Sequence, residues 1–211
     1  MELNWAEEHL KVIRTLMERA AIYRRALAPI TLLTGGIGLA AAFLGWILRI
    51  GSARMFGAYW ITVSILALGG AYLLIRLQAL RDIEPFWSPP TRRVTQALLP
   101  ALFAGLVAGV LVMTSQERDP LPAWWLPAVW MVLYGSAIHA AGFFMPRGMK
   151  LFGWGFILSG CLMLWLVSEK LFGRGLPDLV YANLVMGACF GGYHLAYGAY
   201  LYCTEKRKHE A

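Results

Sequence analysis

The sequence predicts an all-α polytopic membrane protein, with six transmembrane helices preceded by an N-terminal cytoplasmic amphipathic helix. Three observations carry that prediction. Hydrophobic residues make up 59% of the 211 and charged residues only 15%, a balance outside the usual range of soluble domains. Six apolar windows, at 27–48, 55–75, 94–113, 123–144, 151–167 and 179–202, approach the roughly 20 residues needed to cross a hydrocarbon core of about 30 Å. The 19 Lys and Arg residues are concentrated in alternate connections. None of the windows shows the alternation of a barrel strand, so helices must satisfy the backbone within each one.

Residues 1–26 are charged yet periodic. Leu10, Ile13 and Met17 recur at helical spacing, while Glu7, Lys11, Arg14 and Glu18 occupy other faces. The pairs Glu7/Lys11 and Arg14/Glu18 stand four residues apart and add about 0.2–0.5 kcal/mol each to an exposed helix. With Trp5 near its start, this helix is expected to lie in the headgroup layer and contact the lipid surface. The alternative is that its apolar stripe, Leu10, Ile13 and Met17, docks a cytoplasmic partner or the protein's own connections. The segment is too charged for a cleaved signal peptide, and Arg24-Arg25 before an uninterrupted apolar run reads as a retained signal anchor.

The bundle is expected to occupy 27–202 and a basic cytoplasmic tail 203–211. Glycines mark close helix contacts in the first window (Gly35, Gly36, Gly38), the third (Gly105 and Gly109) and the fifth (Gly153, Gly155), within one protomer or across a homo-oligomer. The second connection, Arg76 to Gln96, contains Pro85, Pro89 and Pro90 and is read as interrupted helix lying on the membrane surface. Pro100 and Pro127 fall near window starts, where proline is tolerated. The fifth window is the shortest and must recruit Lys150 or Ser168 to span, or else be re-entrant. Trp46, Trp87, Trp124, Trp125 and Trp154 stand near window ends, as in an interfacial aromatic belt.

Fourteen of the basic residues belong to the N-terminal segment, the second and fourth connections and the tail; Arg49, Arg54, Arg118, Lys170 and Arg174 belong to the other connections. The positive-inside rule then places both termini in the cytoplasm, for a multi-pass protein of the inner membrane. The net charge of +7 serves anionic headgroups on this reading, and nucleic acid is not an expected partner. Cys161, Cys189 and Cys203 show no CxxC spacing, so neither a disulfide nor a metal site is expected.

All twelve Asp and Glu residues lie outside the windows, leaving His139 and His194 as the ionisable groups at depth. Such residues are functional candidates by default. Both windows run from outside to inside, which puts the two imidazoles at similar depth. Gly135, Ser136 and Gly142 flank His139, and Gly187, Gly191 and Gly198 flank His194, so both are expected to face inward. Tyr134, Ser136, Asn183, Tyr193 and Tyr197 complete a predicted polar core. Three uses follow: hydrogen bonds across helix interfaces, axial ligation of a b-type haem by His139 and His194, and proton-linked or small-solute transport. No GxSxG, HExxH or Walker pattern gives catalysis a foothold, and no cofactor is expected in the leading reading.

The segments IRTLMERAAIYRRALAP (13–29), YGSAIHAAGFFMPRG (134–148) and GGYHLAYGAYLY (191–202) resemble those of small uncharacterised bacterial six-helix inner-membrane proteins, some of them encoded beside winged-helix regulators. The resemblance spans nearly the whole chain and implies a sensing or regulatory membrane role. It transfers no catalytic residue. The function expected is therefore a non-enzymatic scaffold, accessory or sensory component whose cytoplasmic face binds a cytoplasmic or membrane protein.

Overall fold

In the computed structural model the described residues are 27–81, 87, 89–114, 121–145, 148–169 and 176–209. Trp5, Leu10, Ile13 and Met17 lie outside them. Every regular element among the described residues is helical: α1 (Leu27–Ile47), α2 (Ala53–Arg81), α3 (Pro89–Thr114), α4 (Leu121–Ala141), α5 (Met149–Ser168), α6 (Val180–Met186) and α7 (Tyr193–His209). A π-helical segment, Gly187–Gly192, joins α6 to α7 without a break. Helix extends beyond the apolar windows. α2 continues to Arg81 and α3 begins at Pro89, inside the stretch read as a surface connection, while α7 carries the tail to His209 as helix. Pro100 and Pro127 accordingly lie inside α3 and α4.

Among the described residues, four helices are long and apolar enough to cross a membrane: α1, α2, Thr91–Thr114 of α3, and α5. The short fifth window thus becomes a helix of 20 residues, which reaches about 30 Å. The fourth and sixth windows stand outside this group for identifiable reasons. α4 dilutes its aliphatic residues with Trp124, Trp125, Pro127, Trp130, Tyr134 and His139. The sixth is divided by its π-helical segment into pieces of 7, 6 and 17 residues.

The turn from α1 to α2 follows from local hydrogen bonding. Arg49 adopts the left-handed conformation (φ 51°), its N–H donates to the Trp46 carbonyl, and the Ile50 N–H donates to the Gly45 carbonyl. That is a Schellman ending with arginine in the place where glycine is usual. Ser52 then caps α2, its hydroxyl accepting the Met55 N–H at 3.3 Å.

Packing is organised around small residues, because apolar bulk gains nothing by leaving lipid whereas backbone proximity brings dispersion and polar contacts. Leu66, Leu73, Leu111 and Leu158 are exposed while Ala42, Ala128, Gly153 and Gly187 are buried. α1 meets the π-helical segment and α7 so closely that an added Cβ at Gly38 would lie 3.1 Å from Gly191 Cα, and one at Gly198 would lie 2.8 Å from Thr31 Oγ1. α4 and α5 pack by the same means: an added Cβ at Gly135 would lie 2.7 Å from the Gly153 carbonyl. Gly105 and Gly109 are used within the protomer, against Trp130 and Ile61, whereas Gly36 and Gly155 have no atom within 4 Å of an added Cβ.

Candidate functional site

Two polar nodes tie the helices together. The first lies where α1 ends and α6 begins. Asn183 is completely buried. Its Oδ1 accepts the indole N–H of Trp60 at 2.9 Å, and its Nδ2 donates to the carbonyls of Ile50 at 2.9 Å and Val180 at 3.0 Å. The carboxamide is admitted because Gly45 lacks a side chain: an added Cβ there would lie 2.7 Å from Oδ1. Nearby, Tyr59 donates to the Ala41 carbonyl at 2.6 Å, fastening α2 to α1 a second time. Trp124, expected in the interfacial belt, is buried here and donates to the Pro177 carbonyl at 2.9 Å.

The second node is built on His194, two residues past the π-helical segment. A π-turn inserts one residue into the helical register, and such segments recur at functional positions. The His194 Nδ1 lies 2.6 Å from the Phe190 carbonyl, and its Nε2 lies 2.7 Å from the Tyr134 hydroxyl. A carbonyl only accepts, so Nδ1 carries a proton; in the neutral ring Nε2 then accepts from Tyr134. Phe152 and Phe156 of α5 meet the imidazole edge-on, at ring-centroid distances of 5.2 and 5.6 Å. An aromatic wall therefore excludes other partners from the ring.

The structure separates the two histidines that the sequence grouped. His139 is half-buried at the α4–α5 seam. Its ring meets Phe143 and Trp154, each at 5.7 Å, and its Nδ1 is 3.5 Å from the Lys150 carbonyl. Phe152 faces His194 and Trp154 faces His139, and two residues apart on a helix means about 200° of rotation. The imidazoles thus stand on nearly opposite sides of α5, and they do not form the facing pair that a shared haem iron requires. On α4 the same arithmetic holds: Tyr134 points toward His194, and His139, five residues on, points about 140° away.

The remaining predicted polar residues divide. Tyr193 bonds Ser159 at 2.6 Å, and Ser159 donates to the Gly155 carbonyl at 2.8 Å. Tyr197 is buried and stacks on Phe152 at 4.5 Å. Ser136 is corrected: it is exposed and returns its hydroxyl to the Val132 carbonyl at 2.8 Å, because it lies about 200° from Tyr134 on α4. Asn183 is fully buried, but it anchors the other node and is no neighbour of the histidines. Gly187, Gly191 and Gly198 face α1 while His194 faces α4 and α5.

Sequence reasoning missed Trp60, Ser159 and the π-helical segment. The run GACFGG carried a signal for the last, since its three glycines weaken ordinary helical register. Among the described residues, no group of three or more His, Cys, Asp or Glu is placed to hold a metal ion. Compared with models of known protein families, with curated proteins and with solved structures, the chain gives no match.

Proposed function

We propose that this chain is a non-enzymatic, six-span scaffold or accessory component of a bacterial inner membrane, with both termini and its partner-binding face in the cytoplasm. The observation that carries the reading is the saturation of both polar nodes. Asn183 engages its oxygen and nitrogen within the protein, and His194 engages both ring nitrogens. A transport path needs polar groups that exchange partners as cargo passes, whereas these groups hold helices in place. Six spans are supported by the packing of α4 along α5 and by the continuity of α6 through α7, since neither helix has another way to bury its length.

The lopsided distribution of Lys and Arg supports the orientation. Residues 1–26 and the basic tail then share one side with the α2–α3 and α4–α5 connections and supply the surface for a protein partner. Affinity capture from membranes, comparing the full chain with variants Leu10→Glu and Met17→Glu, tests this. A partner lost with either substitution supports the reading, and capture insensitive to both opposes it.

Proton-linked transport is the second reading, favoured by the π-helical segment beside His194. Flux into proteoliposomes that falls in Tyr134→Phe and His194→Gln would establish it in place of the scaffold. A Soret band in the purified protein that disappears in His139→Ala and His194→Ala would instead establish haem binding.

A further inference from the structure

The entry turn of α5 carries a polar group that the packing does not explain. Tyr197 is 8% exposed, and its hydroxyl has no hydrogen-bond partner among the described residues. Stacking on Phe152, with the rings 13° apart, needs only the ring, so phenylalanine would serve as well. The hydroxyl lies against Gly148, where an added Cβ would stand 3.2 Å from it. Gly148 is the N-cap of α5 and offers no side-chain hydrogen bond to the first turn.

Two kinds of donor therefore meet at one place, the N-terminal N–H groups of a helix of 20 residues and the Tyr197 hydroxyl, with the Lys150 ammonium on the other side of the same helical turn. Lys150 is the second residue of α5, and its Nζ is held 3.6 Å from the centroid of the Phe143 ring, so its charge stays at the α4–α5 turn. The carboxylates with described side chains are elsewhere. Glu169 follows the far end of α5, and Asp178 stands before α6 beside Arg49. A helix N-terminus that meets a buried hydroxyl donor, with no carboxylate beside it among the described side chains, favours an anion.

The geometry points to a binding site for the phosphodiester of an anionic phospholipid, received by the α5 N-terminus and the Tyr197 hydroxyl, with Lys150 adding its charge from across the turn. A lipid is the source that fits, because α5 is long enough to span and so begins at a membrane surface. Exposed Phe143, Phe144 and Leu151 flank the turn, where acyl chains would lie. The inference rests on the membrane reading above, which assigns this end to the cytoplasmic leaflet; the binding itself does not depend on which leaflet it is.

The purified full chain in detergent micelles is titrated with dioleoylphosphatidylglycerol, dioleoylphosphatidylcholine or sodium phosphate and read by native mass spectrometry. Phosphatidylglycerol is expected to bind about tenfold more tightly than phosphatidylcholine, as charge-assisted contacts imply. Tyr197→Phe and Lys150→Gln should each lower that preference several-fold, while Tyr202→Phe, an exposed hydroxyl on the same helix, should leave it unchanged. Thermal unfolding of each variant establishes that it is folded. Equal retention of the two lipids, or undiminished preference in both folded variants, overturns the site. Displacement of phosphatidylglycerol by millimolar phosphate overturns the lipid as its source. A topology map placing this turn outside the cell would count against the proposed orientation and leave the site standing.

Discussion

Replacing Asn183 with alanine should destabilise the bundle more than any other single polar substitution among the described residues. The change removes the acceptor of the Trp60 indole N–H, at 2.9 Å, and the donor to the Ile50 carbonyl, also at 2.9 Å, in a position with no solvent exposure. The third bond, to Val180 within the same helix, contributes least, since its carbonyl remains beside the helical ladder. Interhelical hydrogen bonds within membranes average about 0.6 kcal/mol and reach about 1.7. An indole N–H left buried and unpartnered costs about 1–3 kcal/mol more. Gly45, which approaches the carboxamide, cannot fill the space left behind. The expected loss is therefore about 2–4 kcal/mol, within the range of mutations that break a buried network.

Equilibrium unfolding in mixed micelles of rising dodecyl sulfate fraction measures this loss, followed by circular dichroism because Trp60 is itself a fluorescent reporter. A double-mutant cycle with Trp60→Phe isolates the Asn183–Trp60 bond and should return a coupling of about 0.5–1.5 kcal/mol. A loss below about 0.5 kcal/mol for Asn183→Ala, the level of an ordinary surface change, would refute the reasoning. So would strict additivity in the cycle.

Other outcomes follow from the same contacts. Gly191→Ala places a Cβ 2.8 Å from the Leu39 backbone nitrogen and should cost about 1–3 kcal/mol in the same unfolding assay. Gly36→Ala, which meets nothing within 4 Å, should be neutral or stabilise by up to about 1 kcal/mol; equal losses at the two positions would contradict the small-residue seam. Tyr134→Phe strands the His194 Nε2 and should lower stability by about 1–2 kcal/mol, with an unchanged midpoint arguing against the node. Green fluorescent protein fused after residue 211 should fluoresce, and alkaline phosphatase fused at residue 118 should be active, in keeping with the topology proposed from the charges.

Much of the second node could be read in the chain. His194 and Tyr134 stand out because an ionisable or hydroxylated side chain in an apolar window needs a partner. Their pairing could not be read, since it depends on how α4 and α7 rotate against one another. Periodicity placed His194 with Gly187, Gly191 and Gly198 on one face. Gly198 stands only about 40° from His194 on α7, so neighbouring sectors of one helix meet α1 through the glycine and α4 and α5 through the imidazole, while the π-helical segment shifts the register between α6 and α7. Ser136 failed through ordinary helical rotation, being two residues from Tyr134 and so on the other side of α4. The Asn183 node joins residues up to 133 positions apart, a separation over which local pattern carries no information.

The sequence by itself determined the solvent and the all-helical class. Long apolar runs leave the backbone nowhere to bond but within its own helix, and glycines every few residues prescribe close helix contacts without naming the partner. Only the tertiary structure decided which helix each glycine faces, that the two histidines stand on opposite sides of α5, and that Asn183 binds Trp60 and the end of α1. Those outcomes are set by helix rotation and register. In a bilayer, hydrophobicity is nearly indifferent to both, so packing geometry and a few buried hydrogen bonds make the choice.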